Sequence, residues 1–108
     1  MTKKNLLLMV RTNGPAEGEE KWNAWYNTHH VANRLNIPGF ISVRRYIAID
    51  GEPKYITLYE IENIDVLTSE PYLKLREWEA SLSPQTFEAI TQKLPDFSRG
   101  LYRQIYPA

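Results

Sequence analysis

The run Trp22-Asn23-Ala24-Trp25-Tyr26-Asn27-Thr28-His29-His30 holds two of the three tryptophans and both histidines of this 108-residue chain. Its side chains recur at the i, i+3, i+4 and i+7 spacing of one helix face. The residues that share this face are Trp22, Trp25, Tyr26, His29, Ala32 and Asn33. The run therefore predicts the middle of a helix that faces a pocket.

Signals at both ends limit this helix. The acidic cluster at residues 17–20 suits the positive end of a helix dipole. Pro38-Gly39 ends the helix soon after Leu35, because proline cannot continue a helix and glycine tolerates the left-handed conformation that follows one. Upstream, residues 5–12 form a short apolar run closed by Asn13-Gly14-Pro15, which is typical of a buried strand that ends in a turn.

Downstream of the helix the period changes from 3.6 to 2. Residues 40–49 alternate between apolar and polar, and Asp50-Gly51 is a hairpin turn signal. Residues 55–62 follow as a second run rich in β-branched and aromatic side chains. Alternation along this run places four residues on one side: Tyr55, Thr57, Tyr59 and Ile61.

The C-terminal part predicts helices followed by a strand. The second helical region starts near Ser69 and accommodates Pro71 in its first turn. Ser83-Pro84 resembles an N-cap with proline at the first helical position, so a short helix over residues 85–94 is expected to restart there. Residues 99–106 are the last predicted strand.

The order is therefore β-α-β-β-α-β in one domain, residues 1–108. Two βαβ-type crossovers around one hairpin give the α+β, ferredoxin-like arrangement, a four-stranded antiparallel sheet with both helices on one face. The other face is predicted to be uncovered and too apolar for water, with Leu7, Met9, Tyr46, Tyr55, Tyr59, Ile61 and either Tyr102 or Leu101. A second copy, packed sheet to sheet, would close a dimeric α/β barrel.

Composition excludes several classes of function. Lys plus Arg and Asp plus Glu both total 13, and a balanced chain offers no electrostatic footprint for nucleic acid or anionic lipid. The strand that would carry an RNA-binding motif, residues 54–61, lacks the required glycine and the basic surroundings of that motif. The chain has no cysteine, and its apolar run after Lys3-Lys4 is too short for a signal peptide. We therefore expect a cytoplasmic protein that binds neither nucleic acid nor membrane.

Several short motifs carry a family resemblance that covers nearly the whole chain. They are Trp25-Tyr26-Asn27-Thr28-His29-His30, Arg34-Leu35, Ile37-Pro38-Gly39-Phe40, Arg44-Arg45-Tyr46, Leu58-Tyr59-Glu60 and Tyr102-Arg103. Together they resemble the EthD-like branch of the dimeric α/β-barrel superfamily, in which an aromatic-rich first helix carries a histidine. On that pattern the family histidine falls on His30, and the usual proline two residues later is Ala32 here.

The resemblance implies a homodimer with a small-molecule pocket between the first helix and the sheet. Members of the superfamily include cofactor-independent cyclases, isomerases, dehydratases and small monooxygenases, and a few haem-handling enzymes. The expectation is a cofactor-independent enzyme that moves a proton on an aromatic or polyketide-like carbonyl or phenol substrate. The alternatives are a non-catalytic ligand-binding or interaction module on the same dimer, and a monooxygenase or haem-handling relative.

The catalytic candidates are His30, His29 and Tyr26. Histidine exchanges a proton near neutral pH, so it can act as base and acid in one turnover. Adjacent helix positions point about 100° apart, so the two histidines cannot readily share one metal, and no metal site is predicted. One histidine can face the pocket while the other faces solvent or the dimer seam, and the alternative for either is a buried or capping histidine near the end of the helix. Tyr26 lies one turn before His30 and can orient it, or can simply pack in the core.

The substrate-binding candidates are Arg44, Tyr46, Tyr59 and Trp25. A guanidinium such as that of Arg44 can bind a carboxylate or stabilise an enolate or phenolate oxygen, although a surface ion pair with Glu60 or Glu62 is an equal alternative. Tyr46 and Tyr59 would hold the substrate oxygen, and Trp25 would favour a flat ligand. The acidic residues concentrate at helix starts and in turns, so we expect them to be solvated.

Overall fold

The computed structural model describes residues 5–108, so Lys3 and Lys4 lie outside the described residues. Four strands form one antiparallel sheet in the order β2-β3-β1-β4. They are β1 (Leu6–Thr12), β2 (Phe40–Ile47), β3 (Tyr55–Ile61) and β4 (Ser98–Arg103). This order, with β1 and β3 at the centre, confirms the predicted ferredoxin-like sheet.

The helices lie between the strands as expected. The first helical region runs from Glu19 to Leu35 as α1 (Glu19–Trp25), a π-helical segment (Tyr26–His30) and α2 (Val31–Leu35). The second consists of a short 3₁₀ helix (Ile64–Thr68), α3 (Glu70–Ala80) and α4 (Phe87–Gln92). No helix in this part of the chain combines the length and apolarity that a bilayer crossing requires.

Local signals explain most of the element boundaries. Gly39 ends the turn after α2 with a φ of 98°, and a Cβ there would lie 2.4 Å from a methyl carbon of Val66, so only glycine fits. Ser69 caps α3 by accepting a hydrogen bond from the Tyr72 amide. The predicted cap at Ser83 is wrong, because the side chain of Thr86 caps α4 by accepting from the Ala89 amide.

The register of the strands shows which residues share a face. Leu8 pairs with Tyr59 and Val10 with Thr57, so these four side chains project to the same side. They are buried under the helices, in a core with Phe40, Ile61 and Tyr72. A second cluster joins Trp22 and Tyr26 of the first helical region to Tyr55 of β3.

The predicted composition of the uncovered face is therefore partly wrong. Tyr55, Tyr59 and Ile61 face the helices and are at most 6% exposed, because they share the face of Leu8 and Val10. Leu7, Met9, Tyr46 and Tyr102 do lie on the open face, since each pairs with a neighbour on that side. Leu101 pairs with Leu8 and points to the helix layer. Sequence alternation separates the two sets of residues correctly, but it does not say which set is covered.

Candidate active site

The site begins at a widened turn in the first helical region. In the segment Tyr26–His30 the backbone is π-helical, and the Val31 amide donates to the carbonyl oxygen of Tyr26, five residues earlier. Such segments occur frequently at functional sites. Tyr26 and His30 are both buried here, and their ring centroids lie 4.6 Å apart.

The buried row of this helix differs from the predicted one. Residues with four-residue spacing, Trp22, Tyr26, His30 and Arg34, are all buried. In an α-helix each four-residue step drifts by about 40°, and the wider π turn reduces this drift. His29 and Ala32, which were placed on the buried face from their spacing, are exposed, and Asn33 is only half-buried.

His30 lies between a carboxylate and a phenol. Its Nδ1 is 2.8 Å from Oε2 of Glu88, and its Nε2 is 2.8 Å from the hydroxyl oxygen of Tyr59. An ionised carboxylate can only accept, so the Nδ1–H donates to Glu88 and the Nε2 lone pair accepts the Tyr59 hydroxyl proton. Burial lowers the pKa of His30, and the nearby Arg34 charge also lowers it, while Glu88 opposes both effects. The imidazole is therefore neutral near pH 7, and its Nε2 is able to accept a proton.

The hydrogen bonds continue from Tyr59 to Tyr26. Their hydroxyl oxygens are 2.9 Å apart. Because the Tyr59 proton is directed at His30, the Tyr26 hydroxyl donates to Tyr59. Burial raises the pKa of Tyr59 well above its ordinary value, and the hydroxyl of Tyr26 raises it further, so Tyr59 is a neutral phenol. The result is a directed chain of three donors that runs from Tyr26 through Tyr59 and His30 to Glu88.

Glu88 belongs to a buried ion-pair cluster. Arg34 makes two hydrogen bonds to Glu79, at 2.6 and 3.0 Å, and one of its guanidinium nitrogens lies 3.9 Å from Glu88. Arg76 also reaches Glu79, at 3.3 Å. Burial alone would raise the pKa of Glu88, but the hydrogen bond from His30 and the Arg34 charge bring it below its ordinary value. Glu88 is thus an anion that holds the imidazole in one tautomer.

The same cluster contains the group of ligand atoms that could hold a metal. Among residues 5–108, one nitrogen of His30 and one carboxylate oxygen each of Glu79 and Glu88 lie within 4.8 Å of one another. Both oxygens of Glu79 already accept from Arg34, and Nδ1 of His30 donates to Glu88. A guanidinium therefore occupies the place of a cation in this donor set, which favours an ion-pair cluster over a metal centre.

His30, Tyr26 and Tyr59 open onto a cavity of about 150 Å³ between the helices and the sheet. Apolar side chains from β1 and from the loop before β4, including Leu8, Val10 and Phe97, form part of its wall. The polar residues that border it are Tyr26, His30, Arg34, Tyr59, Arg76, Glu88, Thr91, Gln92 and Arg99. The cavity is formed by this chain's own elements, on the helix side of the sheet, and it opens to solvent.

The structure brings together some of the predicted site residues and separates others. His30, Tyr26 and Tyr59 meet at the cavity, whereas His29 is exposed one position along the helix. Trp25 does not border the cavity but packs behind the imidazole, with its ring centroid 5.5 Å from that of His30. Tyr26 contacts His30 by ring packing and is linked to it through the Tyr59 hydroxyl.

Arg44 and Tyr46 were predicted to hold the substrate oxygen, and their position contradicts this role within one chain. Arg44 pairs with Leu58 and Tyr46 with Ile56, so both project to the open face of the sheet. Arg44 borders a shallow hollow there with Glu60 and Tyr102. The error arose because Arg44 and Tyr46 were assigned to the same face of the sheet as Tyr59. The register shows that Tyr59 faces the helices and the other two do not.

Arg45 is the arginine of this pair that turns toward the helices. Its Nη1 donates to Asn27 at 2.8 Å, and its guanidinium carbon lies 3.9 Å from the ring centroid of Tyr26. Its Nε and Nη2 are buried and have no hydrogen-bond partner among residues 5–108. The ring faces of Tyr26, Trp22 and Tyr55 therefore provide its main electrostatic contacts.

Sequence reasoning missed Glu79, Glu88 and Arg34, because acidic and basic residues are mostly exposed. A signal was present for two of them. Glu79 continues the apolar stripe of Tyr72, Leu75 and Leu82 at helical spacing, and Arg34 follows His30 by four residues. A charged residue at a core position predicts a buried partner of opposite sign.

Comparisons with solved structures of other proteins support this fold. No protein-family model and no curated protein matches the sequence. Three solved structures are similar over nearly their whole length. A proposed monooxygenase from Shewanella loihica PV-4 is 18% identical, with a TM-score of 0.66 over 97% of this chain and 98% of that one. An EthD family protein from Bacillus halodurans C-125 is 12% identical, with a TM-score of 0.64 over 94% and 99%.

The third is a variant of SnoaB, a cofactor-independent oxygenase from Streptomyces nogalater. It is 15% identical, with a TM-score of 0.60 over 99% of this chain and 100% of that one. At identities this low the similarity shows the fold alone. The fold expected from the family resemblance is therefore confirmed, and one of the similar structures is an EthD family protein.

Proposed function

We propose that this protein is a small enzyme that transfers a proton on a carbonyl or phenol substrate without a cofactor. One observation carries the proposal: a neutral, buried imidazole lies between an anion and a phenol at the wall of a cavity. His30 is the acid/base group, Glu88 is its positioning residue, and Tyr59 is the group nearest the substrate. A purely structural histidine would not need a cavity beside it.

The proton path follows the direction of the hydrogen bonds. Substrate gives a proton to the hydroxyl oxygen of Tyr59 while the proton already on Tyr59 moves to Nε2 of His30. The imidazolium formed is stabilised by Glu88, 2.8 Å from Nδ1. Reversal of the path returns a proton to a second atom of the substrate, which gives isomerisation. Loss of a leaving group instead gives dehydration or another lyase reaction.

The electrostatics suit this role. The lowered pKa of His30 keeps the base unprotonated near neutral pH, and the raised pKa of Tyr59 keeps a proton on the phenol. Tyr26 donates to Tyr59, so it stabilises negative charge that develops on that oxygen. Convergent polar groups of this kind favour an enzyme over the non-catalytic module that the sequence also allowed.

Oxygenation is the second candidate, because two of the similar structures are described as a proposed monooxygenase and a cofactor-independent oxygenase. The same first step serves both reactions, since a deprotonated phenol or enol gives up an electron to O₂ more readily than the neutral form. Oxygen consumed in step with substrate would identify an oxygenase. Turnover at an unchanged rate under nitrogen would identify proton transfer alone.

We further propose that the protein acts as a homodimer formed through the open face of the sheet. That face carries Leu7, Met9, Ile56 and Leu58, which are only half-buried in one chain, together with Tyr46 and Tyr102. A second copy is a suitable cover, because the same face also offers Arg44 and Glu60 for ion pairs and the net charge of the chain is zero. The dimer would leave both cavities on the outer, helical side of each sheet.

The test is isomerisation of 3-cyclohexen-1-one to its conjugated isomer, followed by the absorbance of the conjugated ketone. The reaction removes one proton and returns one, and the six-membered ring matches the cavity. We expect His30→Gln to lower the rate by about 100-fold or more, the usual contribution of a general base. His29→Gln is the matched control, since that side chain is exposed, and its rate should stay within about twofold of the native rate.

The control variants also separate chemistry from folding. Both histidine variants should give the far-UV circular dichroism of the native protein. Equal rates for His30→Gln and the native enzyme would remove His30 from the mechanism. A rate loss accompanied by unfolding would assign His30 a structural role, in which case Tyr59→Phe tests the path independently.

A further inference from the structure

Arginine side chains dominate the charged groups that border the cavity. Arg34, Arg76 and Arg99 contribute guanidinium groups, whereas Glu88 is the only carboxylate among its wall residues in the described part of the chain. Glu79 lies behind this wall and is 3% exposed. The region therefore holds three fixed cations and two anions, with a neutral imidazole at its centre.

Two of the three arginines are already neutralised. Both oxygens of Glu79 accept from Arg34, and Oε1 also accepts from Arg76 at 3.3 Å. Glu88 lies 3.9 Å from Arg34 and receives the proton of His30 Nδ1. Glu79 thus pairs with the arginines on α2 and α3, and Glu88 pairs with Arg34 and the imidazole. Neither carboxylate is left to neutralise a further cation.

Of the three arginines at the cavity, Arg99 is the one without a counter-charge among the residues that the structure describes. It lies on β4, opposite Val10 in the register, and its strand position directs it to the helix side of the sheet. Its side chain is exposed and makes no ion pair or side-chain hydrogen bond with the residues from 5 to 108. The cavity therefore has one surplus positive charge, at a wall residue that solvent can reach.

The rest of the cavity suits a small ring. A volume of about 150 Å³ is similar to that of an apolar protein cavity known to bind benzene. Leu8, Val10 and Phe97 supply apolar surface, and His30 and Tyr59 supply the reactive hydrogen-bonding groups. A polycyclic ligand of the polyketide type exceeds this volume, whereas a single six-membered ring fits it.

We propose that the substrate is a single-ring carboxylate, and that Arg99 binds its carboxylate at the cavity wall. This inference rests on the proposed function and narrows the substrate class of the same site. Arg99 offers the planar pair of N–H donors that matches a carboxylate. Arg76, whose side chain is 39% exposed, uses one guanidinium nitrogen to bond Glu79. Its other nitrogens remain as donors to the same substrate carboxylate. The ring then extends inward to Tyr59 and His30.

Two probes of the same shape and different charge test the proposal. Benzoate and benzamide can be titrated against the native protein at low ionic strength, with binding followed by ¹H–¹⁵N chemical-shift changes. We expect benzoate to bind about tenfold or more tightly than benzamide, in line with a charged hydrogen bond. Arg99→Gln should remove most of this preference by weakening benzoate and leaving benzamide unchanged.

Arg103→Gln is the matched control, because Arg103 lies on the same strand, is exposed, and does not border the cavity. It should leave both affinities within about twofold. Equal binding of the two probes to the native protein, the absence of any benzoate binding, or an Arg99→Gln variant that keeps the preference would each overturn the proposal.

The outcome is separable from that of the proposed function. His30→Gln keeps Arg99, so it should keep the preference for benzoate even though proton transfer is lost. Loss of proton transfer in His30→Gln without any benzoate preference would retain the enzyme and reject the anionic substrate. If the protein strongly prefers benzoate over benzamide but His30→Gln leaves turnover unchanged, the anion site is supported and the proton-transfer mechanism is rejected.

Discussion

The two faces of the sheet differ less sharply in polarity than those of most half-buried sheets. Along β3 three of the four residues under the helices, Tyr55, Thr57 and Tyr59, carry hydroxyl groups, and the fourth is Ile61. Ile56 and Leu58 lie on the open face, together with Glu60. Alternation in an antiparallel sheet usually places apolar side chains inward and polar ones outward. Hydroxyl groups under the helices and apolar side chains on the open face are the two features on which the proposed site and the proposed dimer interface rest.

The covered face should be the more sensitive to a single substitution. Arg34→Met removes the guanidinium between Glu79 and Glu88 and leaves buried negative charge without its main partner. We expect the free energy of unfolding to fall by about 3–5 kcal/mol, as for other broken buried pairs. Urea unfolding at neutral pH measures the change.

Arg103→Met controls for the loss of a positive charge and should change the free energy of unfolding by less than about 0.5 kcal/mol. A loss below about 1 kcal/mol for Arg34→Met would mean that protonation, and not the guanidinium, neutralises the buried carboxylates. That result would weaken the contrast between the faces.

A substitution on the open face should change the dissociation constant of the dimer and not the stability of the single chain. Leu58→Glu places a charge at the centre of the proposed dimer interface, and two copies would face each other across it. We expect the dissociation constant of the dimer to rise about 100-fold or more, which corresponds to about 2.7 kcal/mol. Sedimentation equilibrium over a concentration series provides the measurement.

Leu73→Glu is the matched control, because Leu73 is 52% exposed on α3, in the helical layer. It should leave the dissociation constant unchanged. A native protein that sediments as a monomer throughout the series, or a Leu58→Glu variant that dimerises as tightly as the native chain, would reject the open face as the interface.

The smallest expected effect is a pH dependence that belongs to the covered face. His30 has a lower pKa in the folded protein than in the unfolded chain, so the unfolded chain takes up more protons as the pH falls. Its contribution to stability is complete above about pH 6.5 and is lost as the pH falls toward the folded pKa. The steepest loss from one proton is about 1.4 kcal/mol per pH unit.

The difference between the native protein and His30→Gln isolates this contribution. Burial raises the pKa of Glu79, so its contribution to the pH dependence of stability has the opposite sign to that of His30. The pKa of Glu88 is lowered, so this residue affects stability only at lower pH. The difference in unfolding free energy should therefore shrink as the pH falls below about 6.5. A difference that stays constant down to pH 5 would show that His30 does not titrate in this range.

The sequence predicted the order of elements because that information is local. Turn residues such as Asp50-Gly51, the cap at Ser69 and the change of period after Gly39 each act within a few residues. Arg44 and Arg45 point to opposite sides of β2, as the alternation of side chains along a strand requires.

The site required information that is not local. His30 meets Glu88 across 58 positions of the chain, and Arg34 meets Glu79 across 45. Burial of these charged groups depends on the simultaneous presence of their partners, which no window of sequence displays. Tyr59 was selected as a candidate from the sequence and borders the cavity, but its face could be assigned only once the register with Leu8 was known.

The π-helical segment has a consequence for how this helix tolerates changes in length. One residue more per turn at Tyr26–His30 means that the helix carries what amounts to a single insertion. Deleting one residue within the segment would leave a regular α-helix and keep Trp22 in line with Arg34, whereas regular α-helical winding of the full-length segment would rotate Trp22 by about 100° relative to Arg34. The indole that is now fully buried would then point away from the sheet. The orientation of one half of the helix relative to the other thus depends on the single extra residue in the π-helical turn.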